Sequence, residues 1–161
     1  MTSSDPGRAL LRHTLATVAY RGRKAVAGAP EAFSRFRAGE SSRTAGQILA
    51  HLGDLFDWAL ALADGQQHWH DSTPQIWNDD TARFFAALAA FDARLAADRP
   101  LGCSAEQLFQ GPVADALAHI GQIAMLRRLA GVPIRGENYF KADIAAGRVG
   151  SSQSAPRVEF D

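Results

Sequence analysis

The chain has 161 residues, of which 17 are basic, 17 acidic and 47% hydrophobic. That length and apolar content suit one domain with a substantial core, and the balanced charge supplies no global field to draw the protein to nucleic acid or an anionic membrane. The opening MTSSDPGRALLRH lacks the basic start and apolar run of a signal peptide, no apolar stretch reaches membrane-spanning length, and Cys103 stands alone; a cytoplasmic protein with no internal disulfide and no membrane partner is expected.

A first helix is predicted to begin with Ser4 or Asp5 as cap and Pro6 in its first turn, where the missing N–H costs nothing. Leu11, Leu15, Val18, Gly22 and Ala25 recur at helical spacing, and Gly28 and Pro30 end the run. Residues 29–43 read as a polar connection with one helical turn around EAFSRF. A second helix opens at Thr44, with Gln47 placed to complete a capping box, and runs to about Asp64 before Gly65. Its inward residues are Ile48, His51, Leu52, Leu55, Ala59 and Leu62.

Residues 65–77, GQQHWHDSTPQIW, exceed what two consecutive antiparallel helices need, so a crossover is expected between second and third helices that run the same way. The third helix is predicted from Asn78 or Asp79 to Ala97, with Phe84, Leu88, Phe91 and Leu95 on one face. Phe84, Phe85 and Phe91 on adjacent faces present more apolar surface than one core needs, which points to a homodimer. Ser104–Phe109 reads as a short turn, and Gly111-Pro112 as the start of a fourth helix that ends at Gly131-Val132-Pro133. NYFKADIAAG is compatible with one short packed helix, and RVGSSQSAPRVEFD is too polar for a core of its own; it is either frayed or laid along the bundle or a partner chain. The absence of any alternating strand pattern predicts an all-α four-helix bundle over residues 1–146 with a polar tail at 147–161.

The chemistry concentrates on two helices. Asp115 and His119 are four apart and so share a helix face. If the second and fourth helices are neighbours, His51 adds a third donor, leaving coordination positions open as a catalytic divalent ion requires. Asp54, three residues after His51, is a rival carboxylate: a ligand, a group supporting the ligands, or a solvent-facing side chain. A hydrogen-bonded core role for the histidines, and a helix-dipole role for Asp115, are the plainer alternatives.

The segment AHIGQIAMLRRLAG resembles the last bundle helix of the DinB-like (YfiT-like) superfamily, and ILAHLGDLFDW resembles that family's second helix. With the long crossover, the resemblance covers residues 8–131. It implies an up-down-down-up bundle, commonly homodimeric, with a divalent metal between helices two and four. It also implies an activity among thiol transferases and isomerases that use low-molecular-weight thiols. By position His51 matches the helix-two histidine and His119 the second histidine of the helix-four pair; the first histidine of that pair is replaced by Asp115. Two imidazoles and a carboxylate still form a three-ligand set compatible with Zn, Ni, Mn or Fe.

Trp58, two turns along from His51, and Tyr139 in GENYF, where Glu137 and Asn138 also stand, are candidate substrate contacts; a core tryptophan and a capped turn explain them equally well. His68 and His70 flank Trp69 in the crossover and are read as surface loop, and His13 has no helical partner. Cys103 has no activating base nearby in sequence, and Arg21, Arg23, Lys24, Arg127 and Arg128 read as solvated helix ends. No Glu-x-x-His pair, His-Glu-x-x-His helix or glycine-rich phosphate loop is present. Two functions remain in competition: a metal-dependent enzyme acting on a small molecule, with no catalytic side chain identified, and a non-catalytic homodimer that binds a metal or another ligand.

Overall fold

A computed structural model describes residues 5–161, so the Ser4 alternative for the first cap lies outside the described residues. The described chain is mostly helical, at 59%, with little strand. Its principal helices are α1 (Pro6–Val26), α2 (Ala45–Ala63), α3 (Trp77–Ala96), the four-residue α4 (Ala105–Leu108) and α5 (Ala114–Leu129). Among the described residues no helix is long and apolar enough to cross a membrane.

Local chemistry accounts for the helix bounds. Asp5 Oδ1 accepts from the backbone N–H of Gly7 and Arg8, with Pro6 in the first turn. Thr44 and Gln47 form the reciprocal capping box at α2, at 3.2 and 2.8 Å. Gly65 takes the left-handed conformation just past α2, φ 77°. Helix α3 starts one residue earlier than the spacing predicts because Trp77 is buried, and its Nε1 donates to Val26 O at 3.0 Å. The EAFSR turn is present as a 3-10 helix over Glu31–Arg35.

The fourth helical region departs from expectation. Ser104–Phe109 is not a turn: Ser104 and Gln107 make a second capping box, and the chain is helical from Ala105 through Leu129. Between α4 and α5, Phe109–Val113 forms a π-helical turn with Pro112 inside it. Proline removes an N–H and crowds the preceding turn, and a widened turn accommodates both effects.

Helix α2 packs against α3 and α5, and α1 packs against the same two. The core is one cluster in which Leu15, Leu49, Leu52, Phe56, Phe84, Phe91 and Ile123 are fully buried. Phe85 is also buried, 4.8 Å from Phe84 between ring centres, so α3 has no spare aromatic stripe and the sequence argument for a dimer from that surplus fails. Gly22 allows α1 to approach closely: a Cβ there would stand 2.9 Å from the Phe84 ring. Arg12 joins α1 to α3 through a two-bond contact with Asp92, at 2.9 and 3.0 Å.

Three arginines satisfy helix ends that have no intrahelical partner. Arg127 of α5 donates to Ala25 O and Ala27 O at the end of α1; Arg94 of α3 donates to Ala63 O and pairs with Asp64 at the end of α2; Arg8 of α1 donates to Leu95 O and Ala97 O at the end of α3. Arg127 is therefore not a solvated helix end as its sequence context implies, being 6% exposed. Lys24 departs likewise, donating to Glu137 and Glu159 at 2.7 and 2.8 Å.

The expected helix in NYFKADIAAG is reduced to a 3-10 turn at Tyr139–Lys141. The C-terminal stretch lies along the helices: Val149 is buried, Arg23 Nε donates to Ser151 O, and β2 (Glu159–Phe160) pairs antiparallel with β1 (Gly136–Glu137). Such two-residue strands carry no alternation that periodicity can detect.

Arg127→Met should lower stability by about 1–3 kcal/mol by leaving buried carbonyls without donors, whereas Arg128→Met at the neighbouring exposed position should stay within about 0.5 kcal/mol of the parent. Urea denaturation of the two variants measures the contrast, and equal midpoints would refute the capping role.

Candidate metal centre

His51 lies in the second turn of α2, and Asp115 and His119 lie on one face of α5. Because the helix begins at Ala105, Asp115 sits beyond the first free N–H groups, and a helix-dipole role does not explain it. The contact between α2 and α5 brings the three side chains together. The imidazole centres of His51 and His119 are 4.7 Å apart with their planes nearly perpendicular. Asp115 Oδ2 stands 3.6 Å from His51 Nε2 and 3.4 Å from His119 Nε2.

These separations exceed ordinary hydrogen bonds and fit a shared ion. Four donors placed tetrahedrally at about 2.0–2.2 Å from a metal are about 3.3–3.6 Å from one another. The His119 ring is oriented by Nδ1–H donating to Gln122 Oε1 at 2.8 Å, which leaves the Nε2 lone pair facing Asp115 and His51. Burial lowers the pKa of His51, with repulsion from Arg43 and His119 adding to it against the opposing pull of Asp115. A neutral imidazole is the form that binds metal. The two histidine side chains are 13% and 12% exposed while Asp115 is 49% exposed, so the donor set is walled by protein on one side and open on the other.

Asp54 has a different occupation. It is 3% exposed, so it does not face solvent, and it accepts from the backbone and hydroxyl of Ser72 at 2.9 and 2.6 Å and from Arg83. Burial pushes its pKa up, but the bonds from Ser72 and Arg83 outweigh that and hold it below the usual carboxylate value. His70 Nε2 lies 3.0 Å away, and Arg83 also reaches Asp57 at 3.0 Å and Ala50 O at 3.0 Å. The Arg83 cation already fills the space where Asp54, Asp57 and His70 converge. Gly53 is essential to this arrangement, since a Cβ there would collide with the Arg83 guanidinium.

This network anchors the crossover, which sequence context presents as a surface loop. With Ser72 and His70 held on α2, Trp69 packs edge-on against His51, 5.5 Å between centres, and against Trp58 at 5.7 Å. Trp58, a predicted substrate contact, thus connects to His51 through Trp69 and rests beside Gly111 of the π turn. Tyr139 belongs to another cluster: it meets Tyr20 edge-on at 6.2 Å and lies under the Arg21 guanidinium at 4.1 Å. Glu137 accepts from Tyr20 and Lys24 in the same cluster. Cys103 is half-buried near Leu62 O, and burial raises its thiol pKa, which makes it a poor nucleophile.

Trp69, Arg83, Gly53, Ser72 and Gln122 are absent from the sequence-derived site. Gln122 alone had a readable signal, its three-residue spacing from His119. The others come together only through the folding of the crossover.

Comparison with protein-family models, curated proteins and solved structures finds no match to this chain.

Because the folded-state pKa of Asp54 is lowered, its stabilising contribution should be complete above the unfolded carboxylate value of about 3.9 and should fade as pH falls through the folded value. Asp54→Asn should lower stability at neutral pH by about 1–3 kcal/mol and flatten the acid side of the stability profile. Urea midpoints from neutral to acidic pH test this, and a parent-like profile would contradict it.

Proposed function

We propose that the protein is a metal-dependent enzyme of the DinB-like kind, with one divalent ion held by His51, Asp115 and His119. The observation that carries this reading is the convergence of three donor atoms from two helices within 4.8 Å of one another, with His119 already oriented by Gln122. Zn, Ni, Mn and Fe all suit two imidazoles and a carboxylate. The corresponding architecture is an up-down-down-up four-helix bundle. The arginine contacts support it: α1 and α5 end together, α2 and α3 end together, and the start of α1 meets the end of α3.

A bound ion would lower the pKa of a coordinated thiol or water and so supply a nucleophile near neutral pH. The chain's own contribution is positional. Gln122 holds one imidazole, Trp69 covers the edge of the other, and exposed Asp115 marks the side from which a substrate reaches the ion. An open side favours a catalytic ion over a structural one with saturated coordination. On the family resemblance, the substrate is a small molecule used together with a low-molecular-weight thiol, and the protein acts as a homodimer.

Elemental analysis after metal loading and dialysis should find one ion per chain at neutral pH. His51→Ala and His119→Ala should each abolish stoichiometric binding with helical circular dichroism retained, while Asp115→His should preserve it. Occupancy should fall below pH of about 6 as protons compete for imidazole. Parent-like binding by both histidine variants would eliminate the site. If Asp54→Ala loses the ion and Asp115→Ala keeps it, the carboxylate assignment is wrong.

Sedimentation equilibrium at micromolar concentration should give twice the 17.3 kDa chain mass. A single monomeric species would exclude the dimer.

A further inference from the structure

Beside the three donors lies a small cavity of about 180 Å³, lined by Arg43, Gln47, His51, Asp54, Asp71 and Ser72. His51 is common to both, so a metal on its imidazole would form part of the cavity wall. The charge inside is unevenly committed. Asp54 is neutralised by Arg83, and both donors of Ser72 point at Asp54. Arg43 and Asp71 remain, both exposed, and among the described residues neither has an ion-pair partner, including each other.

Their positions are set by structure on either side. Arg43 immediately precedes the capped start of α2 and lines the cavity together with Gln47 and His51 of that helix. Asp71 stands between His70 and Ser72, both held by Asp54, and its carboxylate lies within 4.8 Å of donor atoms of His51 and Asp54. A cation and an anion thus face one small space from two anchored segments. A simple anion would meet Asp71 as repulsion, and a simple cation would meet Arg43 in the same way; a ligand with both charges matches both. At about 180 Å³ the cavity is on the scale of a small amino acid.

We propose that this cavity binds the zwitterionic head of an amino acid, its carboxylate on Arg43 and its ammonium on Asp71, with the side chain directed toward the ion on His51. The last element rests on the metal reading above; the charge assignment does not. Guanidinium and carboxylate match in a planar two-bond geometry that a lysine would not offer. Where the side chain is a thiol, as in L-cysteine, the amino acid also presents a metal-binding sulfur.

The test is isothermal titration calorimetry of the zinc-loaded full chain with L-cysteine, with 3-mercaptopropionate, which lacks the ammonium, and with cysteamine, which lacks the carboxylate. Zinc content is measured before and after each titration. L-Cysteine should bind at least about tenfold more tightly than either analogue. Arg43→Gln should weaken L-cysteine and 3-mercaptopropionate about tenfold and leave cysteamine unchanged; Asp71→Asn should weaken L-cysteine and cysteamine and leave 3-mercaptopropionate unchanged. Equal affinities for the three thiols, or indifference of both variants, overturns the inference, as does loss of zinc in Asp71→Asn, which would make Asp71 a ligand. If the parent binds no zinc, the metal reading falls, and the cavity is judged on L-alanine, which carries the same two charges without a thiol. Binding of L-alanine that both variants lose then sustains the charge assignment; no binding of L-alanine overturns it.

Discussion

Helices that end inside a protein leave carbonyls that must find donors, and this requirement organises much of the molecule. Arg127, Arg94 and Arg8 each leave their own helix to serve the end of another. Each contact couples two elements at a fixed level along their axes, which apolar packing alone does less sharply. The guanidinium suits the task because its several donors reach different carbonyls at once; Arg94, for example, serves Ala63 O, Pro100 O and Asp64 together. Gly102 completes that junction, since its backbone lies so near Gly65 that no Cβ fits between them.

The three candidate donors depend on the relation of α2 to α5, which pack directly against each other while the tied ends link both helices to α1 and α3. Two further devices adjust it. The π turn at Phe109–Val113 adds width ahead of α5, which changes the direction in which Asp115 and His119 face compared with an unbroken α-helix. The Asp54–Arg83 network draws the crossover onto α2 and sets Trp69 over His51. Arg83 neutralises a buried carboxylate and carries no apparent chemistry of its own, yet the surroundings of His51 rest on it.

The chain places opposite charges close together without cancelling all of them. Asp54, Asp92 and Glu137 are buried and engaged by Arg83, Arg12 and Lys24, whereas among the described residues buried Asp80 accepts only from the backbone N–H of Gln75. Arg43 and Asp71 can stay unpaired because water reaches them. The polar region around His51 therefore divides into an inner part that supports structure and an outer part available to a ligand.

Much of the helical pattern was legible in the amino-acid sequence because it is set by neighbours in the chain. Asp5, the Thr44–Gln47 box, Gly65 and the Phe84–Leu88–Phe91–Leu95 stripe act within one or two turns, and the helices follow them closely. The pairing of Asp115 with His119 is likewise a matter of helical spacing. Contacts made across the molecule were not legible. Nothing local distinguishes Arg127, a buried cap, from exposed Arg128, or marks Gly53 as the passage for Arg83. The π turn was hidden because Pro112 ordinarily opens or breaks a helix, whereas here the chain continues through it, packed against α2 and α1. Sequence therefore determined most of the helices and the candidate donors, whereas tertiary structure decided which of them meet. Spacing along a helix follows from backbone geometry, while proximity between helices depends on the burial and end-capping of every element at once.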